Sequence, residues 1–204
     1  MLSFSDIPQD LANIASGGMA IGLGNFRTGQ VQALTNYASD WQALYQENGW
    51  IQQDPVVAAG LRSTGLMHWS HAESTKSQFT EAASDFGLRS GFVIASDVGG
   101  NRCIAGISTE RLSKVALKHA QEEISKLHYD HLCQLSYTLT TAQQDLVYLF
   151  SNGEKAKNVA EIFGVSEDAI KQRKAIIQRH LGVNSFMVAV NICAMAGLTR
   201  HRIS

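Results

Sequence analysis

From Leu139 onward, apolar residues recur only at helical spacing, whereas the residues before it alternate helical stripes with two hairpin-like stretches. A chain of 204 residues that changes character in this way is expected to fold as two modules. The C-terminal helices are predicted over 141–151, 155–162, 166–181 and 185–197, with breaks at Asn152-Gly153, Gly164 and Gly182. Ahead of them, Ile7, Leu11 and Ile14 mark a short opening helix that stops at Gly17-Gly18. Segments 19–26 and 31–37, joined by Arg27-Thr28-Gly29-Gln30, read as one hairpin; 92–96 and 102–108, flanking Val98-Gly99-Gly100-Asn101, read as a second. Helices suit 38–47 and 54–62, and Phe79, Ala82, Ala83 and Phe86 form the stripe of another that ends near Gly87. The longest periodic segment, 110–133, places Leu112, Val115, Ala116, Ile124, Leu127 and Leu132 on one face. This order predicts an α+β fold with an antiparallel sheet over 1–135, followed by an all-α domain over 136–204.

A hydrophobic fraction of 45% with 17% charged residues is globular composition and excludes disorder. Cys103, Cys133 and Cys193 are an odd set without a C-x-x-C pair, which argues against a disulfide framework or a zinc site and for a reducing compartment. The first residues lack a signal peptide's basic start, and the apolar stretch from Met187 to Leu198 is too short to span a bilayer, so a soluble cytoplasmic protein without a membrane partner is expected. The glycines at 17, 18, 22 and 24 are not followed by G-K-[ST], and a phosphate loop is set aside.

The net charge of −1 conceals an asymmetry. Residues 1–135 hold 9 Lys/Arg against 13 Asp/Glu, and residues 136–204 hold 8 against 5. After Asp168 come Lys171, Arg173, Lys174, Arg179, Arg200 and Arg202 with no acid among them, which suits a segment that meets a polyanion.

Around those residues the pattern is helix, a short turn Gly164-Val165-Ser166, and helix, the layout of a helix-turn-helix. Ser166 is the N-cap candidate, Ile170, Ile177 and Leu181 form the apolar stripe, and Lys171, Gln172, Arg173, Lys174 and Arg179 supply cations and an amide for phosphates and base edges. The same charges also describe a solvated helix face. Leu139-Thr140, Gly153, Val159-Ala160-Glu161-Ile162, Val165-Ser166, Ala169-Ile170-Lys171 and Leu181-Gly182-Val183 resemble the DNA-binding domain of LuxR-type regulators, and Ala189-Val190 and Gly197-Leu198 extend the likeness. The resemblance implies a four-helix domain binding double-stranded operator DNA as a homodimer. Ala142-Gln143, Ala175 and Ser185-Phe186 depart from the family's usual residues, each removing a contact of the kind worth about 1–3 kcal/mol.

Tyr37, Trp41 and Tyr45 recur every four residues, and Asp54-Pro55-Val56 and Trp69 follow. Taken alone, the aromatic stripe fits a core, and Asp54-Pro55 fits an N-cap with proline at the first helical position. An indole donor, a phenol hydroxyl and a carboxylate acceptor beside apolar walls suit a small ligand that carries carbonyls, an N–H and an apolar part. These residues, with Asp85-Phe86-Gly87-Leu88-Arg89-Ser90-Gly91, resemble the acyl-homoserine-lactone-binding domain of the TraR-like branch of the LuxR-type family. The resemblance implies an α-β-α sandwich with a ligand pocket between sheet and helices. It assigns Trp41 to the lactone carbonyl, Asp54 to the amide N–H, Tyr37 to the acyl carbonyl, Trp69 to the ring and Tyr45 to the chain. Relatives often place a hydroxyl near position 106, where this chain has Gly106, leaving Ser108 as the candidate hydroxyl.

His68-x-x-His71 and His128-x-x-His131 lack a third ligand, and no cofactor, metal or catalytic signature stands out. The expectation is a non-enzymatic regulator of quorum sensing that binds an N-acyl homoserine lactone and operator DNA. Two alternatives remain: a decoy that keeps ligand binding or pairs with a related regulator but binds DNA weakly, and a ligand-independent regulator.

Overall fold

The computed structural model describes residues 9–70, 77–109 and 113–199; Ile7, His71, Glu110, Leu112, Arg200 and Arg202 lie outside them. The chain divides into two compact units that do not follow chain order: Met1–Leu23, Val31–Asp97 and Arg102–His128 form one, and Gly24–Gln30, Val98–Asn101 and Tyr129–Ser204 form the other.

The strands are β1 (Met19–Asn25), β2 (Gln30–Thr35), β3 (Gly65–Ser70), β4 (Ser90–Val98) and β5 (Asn101–Ser108), in one sheet of order β2-β1-β5-β4-β3. Helix α1 (Gln9–Ile14) and the long α5 (Lys114–Tyr137) serve one sheet face, where Leu11, Met19, Ile21, Leu23, Cys103, Ala105, Ile107, Ala120, Ile124 and Leu127 share a core. Period-two alternation sends Ile104 and Gly106 to the other face. There α2 (Ser39–Glu47), α3 (Pro55–Arg62) and α4 (Gln78–Asp85) follow in sequence, and α3 seats Gly60 against Ile104 and Val56 against Gly106. The mixed α+β architecture with an antiparallel sheet is therefore as expected.

Three local expectations change. Strand β3 was not anticipated; it pairs antiparallel with β4, Trp69 opposite Gly91 and Leu66 opposite Ile94. The long helix begins at Lys114 and extends to Tyr137. Val115 is 80% exposed rather than part of the apolar face, because the core contacts of α5 begin one turn later at Ala120. His128 is a core histidine, buried with its Nδ1 2.7 Å from Ser96 Oγ.

The second unit contains α6 (Thr141–Ser151), α7 (Ala156–Phe163), α8 (Glu167–Leu181) and α9 (Phe186–Met195). Leu146, Val147, Val159, Ala160, Ile170, Ile177, Leu181, Ala189, Val190 and Ile192 bury one common core. Helix α6 starts with a capping box between Thr140 and Gln143. Helix α7 ends at Gly164 in the left-handed region, at φ 62°, and Ser166 accepts the Ala169 N–H at 3.2 Å to start α8. Glu167 and Asp168 sit in the first turn of α8 and Arg179 and His180 in the last, both in the sense the helix dipole favours.

Candidate ligand-binding site

Asp54 stands immediately before α3, where its extended backbone frees the carboxylate to turn back on the helix. Oδ1 accepts the Val56 N–H at 2.7 Å and the Val57 N–H at 3.4 Å, and Oδ2 accepts the Tyr45 hydroxyl at 3.0 Å. The cap reading of Asp54-Pro55 is thus correct as geometry, and it uses only one oxygen. Each carboxylate oxygen can accept twice, so Oδ2 has capacity for a further N–H beside Tyr45. Burial raises the Asp54 carboxyl above its ordinary value, and the bonds from Val56, Tyr45 and Val57 pull the other way without cancelling it. Burial, and next the Asp54 charge, push both the Tyr37 and Tyr45 phenols well above the usual range, so both hydroxyls keep their protons as donors.

Trp41 lies on the same face of α2 as Tyr45, one turn earlier, and is buried. Its ring centroid is 5.9 Å from Tyr45, 5.6 Å from Trp50, 5.8 Å from Phe79 and 5.5 Å from Phe86. Trp50 and Phe79 meet edge to face at 5.6 Å. The 3-10 turn Trp50–Gln52 and helix α4 therefore bring Trp50 and Phe79 to the stripe predicted on α2. Those two residues were missed as site residues, since nothing in their own segments shows that they converge.

The sheet below is floored by small residues. A Cβ at Gly106 would stand 2.8 Å from Val56 Cγ1, and the Gly106 carbonyl accepts the Tyr37 hydroxyl at 3.5 Å. Trp69 is buried across from Gly91, where a Cβ would approach its ring to 2.9 Å and run into the Ile107 carbonyl. Ser108 is buried two residues beyond Gly106, its hydroxyl against the Gly17 backbone at the turn between α1 and β1. Tyr37, Trp41, Tyr45 and Asp54 are thus gathered into one cluster, Trp69 lies on the same sheet face at β3, and Ser108 packs on the turn.

On α8, Lys171, Gln172 and Arg179 are exposed, and Ser166 is spent on the cap. Arg173 and Lys174 turn toward rings: Arg173 lies 5.1 Å from the Phe163 centroid, and Lys174 Nζ lies 3.6 Å from Phe150 and 4.9 Å from Phe186. Burial lowers the Lys174 ammonium below its ordinary value. Among the described residues, no three His, Cys, Asp or Glu side chains converge on a metal position, and no helix is long and apolar enough to cross a membrane.

Residues 19–135 match the family model of the autoinducer binding domain. The chain is 27% identical over 184 residues to the transcriptional activator AnoR of Acinetobacter nosocomialis, covering 81% of this chain and 77% of that one. It is 24% identical over 193 residues to the transcriptional activator BjaR1 of Bradyrhizobium diazoefficiens, covering 87% and 77%. The fold is like that of Escherichia coli SdiA, with a TM-score of 0.55 and 16% identity over 98% of this chain and 94% of that one. The relatives are transcriptional activators and not enzymes.

Proposed function

The chain belongs to the autoinducer-binding-domain family of LuxR-type regulators, and from that premise we propose that it is a quorum-sensing transcription factor gated by an N-acyl homoserine lactone. The observation that carries this reading is the Asp54 carboxylate, enclosed beneath aromatic rings with one oxygen fixed by the α3 cap and the other still able to accept. A buried acceptor fixed by the helix cap is suited to an amide N–H, since the cap already holds the carboxylate in place. Trp41 supplies an indole donor for the lactone carbonyl, Tyr37 a hydroxyl for the acyl carbonyl, and Trp69 the wall for the ring. Tyr45, Trp50 and Phe79 line the chain's path. Ligand binding the native state alone stabilises it by mass action, about 4 kcal/mol at a thousandfold excess over Kd.

The unit containing α6–α9 is read as a helix-turn-helix domain, with α8 as the recognition helix. The three-residue turn between Phe163 and Glu167, the Ser166 cap and the outward Lys171, Gln172 and Arg179 support it. Exposed Met187 and Met195 on α9 offer apolar surface for a homodimer, which a two-fold operator requires. One observation favours a second reading, a decoy that binds ligand and pairs with a related regulator: Arg173 and Lys174 stand over rings, and Ala175 occupies the outward face.

Melting curves of the full chain with a panel of acyl-homoserine lactones test the ligand assignment, which fails if no lactone raises the melting temperature. Gel shifts from low to high salt separate transcription factor from decoy. A transcription factor retains selected DNA with a steep salt dependence, and a decoy retains none even at low salt.

A further inference from the structure

The C-terminal unit includes the tips of both hairpins, residues 24–30 and 98–101, and these tips end on α8. Helix α8 closes in a Schellman arrangement: the Gly182 N–H bonds the Arg179 carbonyl and the Val183 N–H bonds the Gln178 carbonyl. This arrangement leaves the carbonyls of Leu181, the last residue of α8, and of the cap residue Gly182 outside the helix's own hydrogen bonds. Asn101 Nδ2 donates to the Leu181 carbonyl and Asn25 Nδ2 to the Gly182 carbonyl, each at 2.8 Å. Both asparagines are buried, at 1% and 5% exposure.

The rest of the contact is shaped for this fit. Asn25 Oδ1 accepts the N–H groups of Arg27 and Thr28 at 3.0 and 3.2 Å, so the turn fixes the amide and aims its NH2 at α8. Gly182 is left-handed at φ 68°, and a Cβ there would stand 2.9 Å from Asn101 Nδ2. The Gly99 carbonyl accepts the Asn184 N–H at 2.7 Å, a Cβ on Gly99 would meet Val188 at 2.8 Å, and Gly100 leaves room for the Asn184 side chain. Val98 packs on the C-terminal core. Two asparagines, three glycines and a valine therefore converge on one helix end.

We propose that the two hairpin tips form a clasp that positions α8, with Asn25 and Asn101 as its positioning residues. Asn25 closes β1 and Asn101 opens β5, neighbouring strands of the sheet, and β5 goes on to Gly106 in the floor of the candidate site. Both asparagines belong to the same compact unit as α8, so the clasp fixes the end of the recognition helix proposed above within that unit.

The test uses the full chain with Asn25→Asp and Asn101→Asp together. These changes keep side-chain shape and replace the donating NH2 by an acceptor that repels a carbonyl. The single Asn101→Asp serves if the double variant folds poorly. Hydrogen exchange at Gly182, Val183 and Asn184 should accelerate about tenfold or more, while exchange at the Gly164 cap of α7 stays as in the wild type. Affinity for a duplex selected by the wild type from a random pool should fall about tenfold or more, with low-salt non-specific binding retained through Lys171 and Arg179. Unchanged exchange at 182–184 overturns the clasp, and faster exchange with unchanged affinity for the selected duplex overturns its positioning role. If the wild type selects no duplex, the DNA reading fails separately, and the exchange measurement still decides whether the clasp holds α8.

Discussion

Tyr45 donates its hydroxyl to Oδ2 of Asp54 at 3.0 Å, the oxygen that the α3 cap leaves over. The two roles of Asp54 are therefore carried by different atoms, and they can be separated by substitution. Asn caps helices about as well as Asp, but its amide nitrogen would face the Tyr45 hydroxyl and any ligand N–H. Asp54→Asn should retain stability to within about 1 kcal/mol and lose the lactone-induced rise in melting temperature. Asp54→Ala should lose both, with about 0.5–2 kcal/mol of stability gone. A normal lactone response in Asp54→Asn removes the carboxylate from the ligand site.

Trp41 poses the same question in apolar form. Its indole packs against Tyr45, Trp50, Phe79 and Phe86, so it is core whether or not it also donates. Trp41→Phe removes the N–H and keeps an aromatic ring. Lactone affinity should fall by up to about tenfold, the loss of one hydrogen bond worth about 0.5–1.5 kcal/mol. Isothermal titration showing wild-type affinity in Trp41→Phe would make the residue a wall only.

The floor of the site should be sensitive to a single methyl. Gly106→Ala sets a Cβ 2.8 Å from Val56 Cγ1, and Val56 lies in the first turn of α3, whose start fixes Asp54. Overpacking of this kind destabilises by about 1–3 kcal/mol. Val56→Ala in the same chain should recover part of the loss, giving a coupling of about 0.5 kcal/mol or more in a urea double-mutant cycle. Strict additivity would mean that α3 shifts freely away from β5.

What could be read from the sequence follows the range of the forces involved. Local rules sufficed for the Asp54 cap, the stripe on α2 and the helix bounds at Gly164 and Gly182, because each depends on residues within one or two turns. Strand β3 was hidden because Gly65 to Ser70 show no clean alternation; it exists through pairing with β4, a long-range contact. Trp50 and Phe79 reach Trp41 only after three segments fold together. Asn25 reads as part of a strand and Asn101 as an ordinary turn residue, since their acceptors at 182 and 181 lie far along the chain. Lys174 looked like any cation of a basic helix face until Phe150 and Phe186 came beneath it.

Lys171 and Lys174 should consequently separate DNA binding from stability. Lys171 is exposed, so Lys171→Ala should leave the melting curve within about 0.5 kcal/mol of wild type while weakening DNA binding and flattening its salt dependence by about one ion. Lys174→Met keeps the stem and removes the charge over the two rings, which should cost about 0.5–2 kcal/mol. If Lys174→Met leaves stability intact and only DNA retention falls, its contacts with the rings are incidental.

Acidity should tune both the stability of the empty protein and its affinity for ligand, in opposite senses. Burial raises the folded-state Asp54 carboxyl above the ordinary 3.8, so the folded chain holds this proton more tightly than the unfolded one. The resulting stabilisation is fully present below the unfolded value and is lost as pH rises through the folded value. Wild type should therefore lose stability relative to Asp54→Asn on going up from about pH 4, with the difference levelling once the carboxyl has ionised. A ligand N–H bonds the ionised carboxylate more strongly than the acid, so binding releases the proton and affinity climbs across the same interval. Paired urea titrations and lactone titrations between about pH 4 and 7 check both arms. A wild-type lactone affinity that is flat over that interval would show that the ligand makes no contact with the Asp54 carboxylate.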